Sequence, residues 1–320
     1  MKTEIKGYSE NPVQHRRGVS AALAFTLIEL VVVAGVVAML ATLLIPVLAG
    51  TKRDTAGAEC QINMKQLGLG FGLFEQDHSQ MFPPAAFAGG PLGGLGVTQL
   101  SWDSYIHRYI GGTANDAELT AGALYASDTP KALICPAAPD RIINWATVSG
   151  QELFGRRTYS MVGSPEYLQV RLTFYGSVPY TLNGGTSLGV GIYWMDSSYP
   201  ADWDAKSFKT SVVTDPAGTI LLVEQSENQN LAANEWPSVS LAVQNSAYAG
   251  MLAQMDPAAN LPAQGASAQV NMGKFLYRNH GYRFNYLFHD GHVQALTTNA
   301  TIGTGYRSAP KGMWTVAVGD

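Results

Sequence analysis

Along the chain the period of the apolar positions changes twice, and each change marks a different kind of element. From Phe25 to Gly50 the stretch FTLIELVVVAGVVAMLATLLIPVLAG shows no polar period at all, running 26 residues with Glu29 as its only charge. Coiled as a helix, that length spans a hydrocarbon core of about 30 Å. Lys2, Lys6, Arg16 and Arg17 precede it, and Lys52 and Arg53 follow it beside Asp54. The basic excess on the N-terminal side predicts a cytoplasmic N-terminus and an exported remainder. A secretory signal peptide would carry an apolar region of about 7 to 15 residues before a small-residue cleavage site, so the longer stretch here predicts a single-pass membrane anchor.

Between Thr51 and His78 the period becomes helical. Ala56, Cys60, Met64, Leu67, Phe71 and Phe74 recur at spacings of four, four, three, four and three, which places them on one face. An amphipathic stem helix is therefore expected to continue from the apolar stretch. Gly68, Gly70 and Gly72 weaken its last turns, each by about 1 kcal/mol relative to Ala, and Pro83-Pro84 ends it.

Farther along the period falls to two. In 166–176, Leu168, Val170, Leu172 and Phe174 alternate with Gln169, Arg171, Thr173 and Tyr175, the pattern of a half-buried strand. Shorter strands are predicted at 190–195, 211–214, 219–225, 284–289, 292–296 and 314–318. The run FAGGPLGGLG at 87–96 follows neither period and is expected to be a loop. No GK[ST] follows it, so it does not make a phosphate cradle. A helical stem ahead of an antiparallel, glycine-rich β domain is class α+β.

Composition narrows the function. Of 320 residues, 46% are hydrophobic, 14% are charged and 34 are glycine, against about a quarter charged in ordinary globular chains. That excludes a disordered tail or a charged coiled coil. With 20 basic and 24 acidic residues the net charge is -4, so there is no electrostatic footprint for a phosphate backbone and no nucleic-acid partner is expected. Cys60 and Cys135 are the only cysteines. They form no CxxC pair, which speaks against a structural zinc or iron–sulfur motif. Export would place them in an oxidising compartment, where they are expected to pair; two separately buried thiols are the alternative.

Catalytic signatures are missing from the sequence: there is no GxSxG elbow, no HExxH and no Walker motif. The chain is therefore expected not to be an enzyme and to need no cofactor. One cluster still invites chemistry, since His280, His289 and His292 fall within 13 residues beside Asp290. The first reading is structural. Asp290-Gly291 would form a two-residue type I′ turn that opposes His289 to His292, Phe288 to Val293 and Tyr286 to Ala295. The second reading makes His280, His289 and His292 ligands of a metal ion.

Glu29 needs a partner, because a carboxylate in an apolar membrane helix costs on the order of 2.5 to 3.5 kcal/mol near the centre and less near an end. The segment Ala24-Phe25-Thr26-Leu27-Ile28-Glu29 resembles the processing site of type IV prepilins and type II secretion pseudopilins. The resemblance implies cleavage between Ala24 and Phe25 by a prepilin peptidase, followed by methylation of the new amine. It further implies that Glu29 meets a neighbouring subunit's terminal ammonium during assembly, and that Pro46 loosens the helix. Ala24 stands where that family usually has Gly, and VSAALA separates Arg16-Arg17-Gly18 from Phe25.

A second resemblance covers the rest of the chain. Cys60-Gln61-Ile62-Asn63-Met64-Lys65-Gln66-Leu67-Gly68-Leu69 is similar to the stem of a large group of prepilin-like proteins abundant in planctomycetes and verrucomicrobia. Phe82-Pro83-Pro84, Trp102-Asp103, Cys135-Pro136, Tyr159-Ser160-Met161 and the run from Pro216 to Glu224 follow in that group's order. So does its C-terminal signature, His280 followed by nine residues and then Asp290-Gly291, with Gly312-Met313-Trp314-Thr315 near the end.

Together these resemblances imply a pilin-like fold, with a long N-terminal helix packed on a β-rich domain. The implied organisation is a leader at 1–24, a transmembrane or filament-core helix at 25–50, the amphipathic stem and its end at 51–84, and an extracytoplasmic β-rich domain with a C-terminal hairpin at 85–320. The implied function is that of a structural subunit of a type II secretion or type IV pilus-like filament, stored in the inner membrane and then displayed in the periplasm or at the cell surface. Its implied partners are the prepilin peptidase, other pilin or pseudopilin subunits and an inner-membrane assembly platform. The alternative is a non-polymerising single-pass surface protein whose ectodomain binds a ligand or a metal.

Overall fold

The first element is a helix, α1, over Leu27–Asp77. The computed structural model describes residues 26–91, 97–138, 147–148, 151–163, 189–196, 200–225, 230–234, 239–241, 280, 283–305 and 311–316. The chain divides into two units, Met1–Ala49 and Gly50–Asp320.

In the first unit α1 opens on a capping box. The Glu29 carboxylate accepts from the Thr26 backbone N–H (2.9 Å) and from its hydroxyl (2.7 Å), while the Glu29 N–H donates back to Thr26 Oγ1. Every side chain described here, 26–42, is exposed. Pro46 lies within the helical span, its side chain outside the described set. Among the described residues no helix is long and apolar enough to cross a membrane.

In the second unit the helical stripe is the buried one. Cys60, Met64 and Leu67 are fully buried, Phe71 and Phe74 nearly so, and Ala56 packs partly buried against the same core. Ile62, Leu69 and Leu73 are exposed. Two of the stem's glycines serve close approach. A Cβ on Gly68 would stand 3.0 Å from a Leu287 methyl, and one on Gly70 would stand 2.6 Å from a methyl of Ile110. The helix ends at two left-handed residues, Ser79 and Gln80, and the Pro83-Pro84 pair lies just beyond.

Among the described residues ten strands follow: β1 Ala86–Pro91, β2 Val97–Ser101, β3 Thr147–Val148, β4 Gln151–Glu152, β5 Tyr159–Gly163, β6 Tyr193–Asp196, β7 Ile220–Glu224, β8 Val239–Leu241, β9 Phe284–Phe288 and β10 Val293–Leu296. Short helices α2 Trp102–Tyr105 and α3 Asp116–Leu119 stand between β2 and β3, and α4 Thr298–Thr301 follows β10. A five-stranded sheet runs β10-β9-β7-β5-β8, a three-stranded one runs β2-β1-β6, and β3 pairs with β4. The class is α+β. The central strands β5, β7 and β9 are buried at every residue, which is why ILLVE and FNYLF read as continuous runs rather than alternations. Their side chains and the stem's stripe share one core.

Several expectations need correcting. Pairing is mostly antiparallel, but β1 runs parallel to β6 and β5 parallel to β8. The run at 87–96 is not simply a loop, because its first part is β1, with 92–96 outside the described residues. Gly89 marks contact rather than a break: a Cβ there would fall 2.3 Å from the Ala201 nitrogen. At 211–214 the chain forms a 3-10 turn, Thr210–Val212; of the strand predicted at 314–318, Trp314 closes the turn Gly312–Trp314 and Thr315 is a single bridge residue, with 317–318 outside the described residues. Runs of four or five apolar residues carry too little period to separate a strand from a tight turn. The predicted strand at 166–176 lies outside the described residues.

Candidate functional site

Cys60 sits on the buried face of α1, and Cys135 follows the 3-10 turn Lys131–Leu133. The two form a disulfide with Cα atoms 4.8 Å apart. Hydrogen bonds fix the segment that presents Cys135. Its N–H donates to Thr158 Oγ1 (2.6 Å), and Asn63, one turn along the stem from Cys60, donates from Nδ2 to the Ile134 carbonyl (2.8 Å).

A carboxylate and an imidazole complete the cluster. Glu224 ends β7 and is fully buried. Its Oε2 accepts from the Asn285 N–H (2.7 Å), and its Oε1 accepts from Asn285 Nδ2 (3.0 Å). His280 Nδ1 lies 2.9 Å from Glu224 Oε2. A carboxylate only accepts, which assigns the Nδ1 proton to this bond. The other ring nitrogen, Nε2, then faces Cys135 Sγ at 3.3 Å. Gln61 donates to Asn285 Oδ1 (3.1 Å), tying the stem to the same group. Tyr159 packs beside them, its hydroxyl 3.5 Å from the Cys60 carbonyl. Burial first, and then the nearby Glu224 charge, push the Tyr159 hydroxyl well above its usual range and keep it protonated.

The hairpin that follows differs from its predicted form by one residue. Val293 pairs with Leu287, Gln294 with Tyr286 and Ala295 with Asn285, not Val293 with Phe288. The turn has three residues, not two. Gly291 N–H donates to the Phe288 carbonyl, Phe288 N–H to the His292 carbonyl, and Gly291 takes φ +87° as the bulge residue. The Asp290 side chain accepts from the His292 N–H (3.0 Å), an Asx turn that favours the longer loop.

This register separates the histidines. His292 Nδ1 lies 2.6 Å from Asp290 Oδ1 and is half exposed, with its ring stacked on Phe288. His289 turns inward edge-on to Phe82, and both its ring nitrogens are buried without a hydrogen-bond partner among the described residues. The proposed trio of His280, His289 and His292 is therefore not a ligand set. Among the described residues the group that gathers ligand-type atoms is Cys60, Cys135, Glu224 and His280, all within 4.8 Å of one another. Ala24 and Phe25 lie outside the described residues.

A second buried centre has no counterpart in the sequence reading. Arg157, with its side chain fully buried, is ion-paired to Asp103. It also donates from Nε to Asn230 Oδ1 (2.8 Å), from Nη1 to Ser101 Oγ (3.0 Å) and from Nη2 to the Asn234 carbonyl (3.1 Å), and it lies over the Trp102 ring. The other oxygen of Asp103 accepts from the Ala233 N–H (2.7 Å). Elsewhere a cleft of about 470 Å3 is lined by Phe74, Tyr105, Tyr109 and Trp203 together with the exposed Arg108–Asp116 pair.

Glu224 and Asn285 were missed as site residues. The available signal was a single acid closing an otherwise apolar strand, in a position where a charge must find partners. Comparison with protein-family models, curated proteins and solved structures finds no match to this chain.

Proposed function

We propose that the chain is a pilin-like structural subunit, cut between Ala24 and Phe25 and assembled through its N-terminal helix into a type II secretion or type IV pilus-like filament. The observation that carries the reading is the exposed apolar surface of α1 within the first unit, from Leu27 (80% exposed) to Leu40 (55%). Apolar surface of that extent is not held in water by a monomer. Lipid covers it in storage, and helices of neighbouring subunits cover it in the filament.

Glu29 supports the same reading. Its carboxylate already draws in the Thr26 N–H, one residue from the amine that the cut would create, so a terminal ammonium arriving there meets an oriented acceptor. Expressed with a prepilin peptidase, the protein should lose residues 1–24 and gain one methyl group by intact mass. Glu29→Leu should insert in the membrane as well as the parent and yield no sheared filaments. An uncut N-terminus, or normal filaments from Glu29→Leu, overturns the proposal. A second reading, a surface protein that binds a ligand without polymerising, is favoured by the aromatic cleft at Tyr105 and Trp203. Uncut monomers with intact surface display would support it.

A further inference from the structure

In the disulfide form the two sulfurs of the cluster are spent on each other, but the groups around them are arranged as a ligand shell. His280 gives its Nδ1 proton to Glu224 and turns the Nε2 lone pair toward Cys135 Sγ at 3.3 Å. A carboxylate that orients a histidine from behind is the usual outer shell of a zinc-bound imidazole. Glu224 itself is held by Asn285 through two bonds and by His280 through one, so it stays in that outer role. The three facing atoms come from the stem helix, the Cys135 turn and His280, and no local spacing in the sequence reveals them.

We propose that the dithiol form of this chain binds one zinc-class divalent cation through Cys60 Sγ, Cys135 Sγ and His280 Nε2, with Glu224 as the orienting carboxylate and the fourth position open to water. Two thiolates cancel the cation's charge, which suits a buried site. Sulfur and imidazole donors select zinc over magnesium or calcium. Two bonds of about 2.3 Å in a tetrahedral site need the sulfurs about 3.8 Å apart, a separation reached by rotating the cysteine side chains. A water-soluble phosphine opens the site: the S–S bond breaks, each sulfur takes a proton from one water molecule, and the phosphine leaves as its oxide. Zinc then displaces both thiol protons to solvent. A disulfide oxidant that accepts the two electrons re-forms the cystine and ejects the ion. None of this depends on filament assembly.

The test uses the full chain, freed of metal by a chelator and titrated with Zn2+ or Co2+ before and after phosphine treatment. The reduced chain should bind one equivalent, and the disulfide form none. Co2+ should give thiolate-to-cobalt absorption in the near ultraviolet together with the visible bands of a tetrahedral site. His280→Ala should weaken Zn2+ binding at least tenfold and Glu224→Gln about tenfold, with both variants matching the parent's near-ultraviolet circular dichroism in the disulfide form. If reduction unfolds the protein, one equivalent of Zn2+ should restore its circular dichroism. Absence of binding by the reduced chain, failure of zinc to restore the fold, or unchanged affinity in His280→Ala would each overturn the proposal. So would one-to-one binding by the disulfide form.

Discussion

Among the described residues, two buried carboxylates of the second unit each meet a basic side chain, and they solve the same problem differently. At Arg157–Asp103 the guanidinium is surrounded by Asn230, Ser101, the Asn234 carbonyl and the face of Trp102. At Glu224–His280 the carboxylate is equally enclosed, but the imidazole keeps one nitrogen facing a sulfur. An arginine cannot discharge inside a protein, so its site has to supply a countercharge permanently. A neutral imidazole needs no countercharge, so its site can serve more than one state of its neighbours. The first centre is a closed latch between α2, the segment just before β5 and residues 230–234. The second is a junction whose chemistry changes with the state of the cystine.

Breaking each pair in the same way tests the distinction. Asp103→Asn leaves the Arg157 charge buried without its countercharge. Burial already pushes the Arg157 guanidinium below its usual range, and Asp103 is what opposes that push. We expect a loss of about 3 to 5 kcal/mol in urea unfolding, the range for a buried pair deprived of one partner. A loss under about 1 kcal/mol would show that the latch does not depend on the charge.

Glu224→Gln removes the carboxylate at the other centre, yet an imidazole with a free Nε2 lone pair leaves no buried charge behind, and the new amide still offers an acceptor to Asn285. The expected loss in the disulfide form is about 1 to 3 kcal/mol, the range for buried hydrogen bonds left partly unmade. The comparison rests on the difference between the two variants under identical conditions. Equal losses would mean that the Glu224 charge matters to the fold as much as that of Asp103 does.

The two centres were unequally legible in the sequence. The stem was readable because Cys60, Met64, Leu67, Phe71 and Phe74 obey one period over several turns, and β7 and β9 were readable as apolar runs. Cys60, Cys135 and His280 drew attention by residue type and by the motifs of the second resemblance. Their meeting point was not readable, because it depends on how β7, β9 and α1 pack, and no local pattern encodes that. Arg157 gave no signal and Asp103 only one as part of the Trp102-Asp103 motif, since an Arg and an Asp more than fifty positions apart look like surface residues until burial is known. The hairpin register failed for a subtler reason. Asp-Gly suits a two-residue turn and a three-residue turn equally, and the Asp290 side-chain bond to the His292 N–H favours the longer one. That one-residue shift decided which histidine faced the core.

His289 extends the comparison to a buried imidazole without a hydrogen-bond partner among the described residues. Burial pushes it down to about 3, even though the Asp290 charge beside it pulls the other way. The unfolded chain takes up this proton near pH 6.5, whereas the folded chain refuses it until about pH 3. Between those values the unfolded state binds more protons, so stability falls as the pH falls, by up to about 1.4 kcal/mol per pH unit. His289→Phe keeps a flat ring against Phe82 and removes the titration. Its stability at pH 8 should stay within about 1.5 kcal/mol of the parent, the usual cost of a size-conserving core change. Below pH 6 its unfolding midpoint should decline more gently than the parent's, so that the variant gains on the parent as acid is added. Some acid slope will remain, because burial also pushes His107 down. If the two proteins lose stability in parallel from pH 7 to 4, His289 is reaching solvent or a partner, and the contrast drawn here between partnered and unpartnered imidazoles fails at its simplest member.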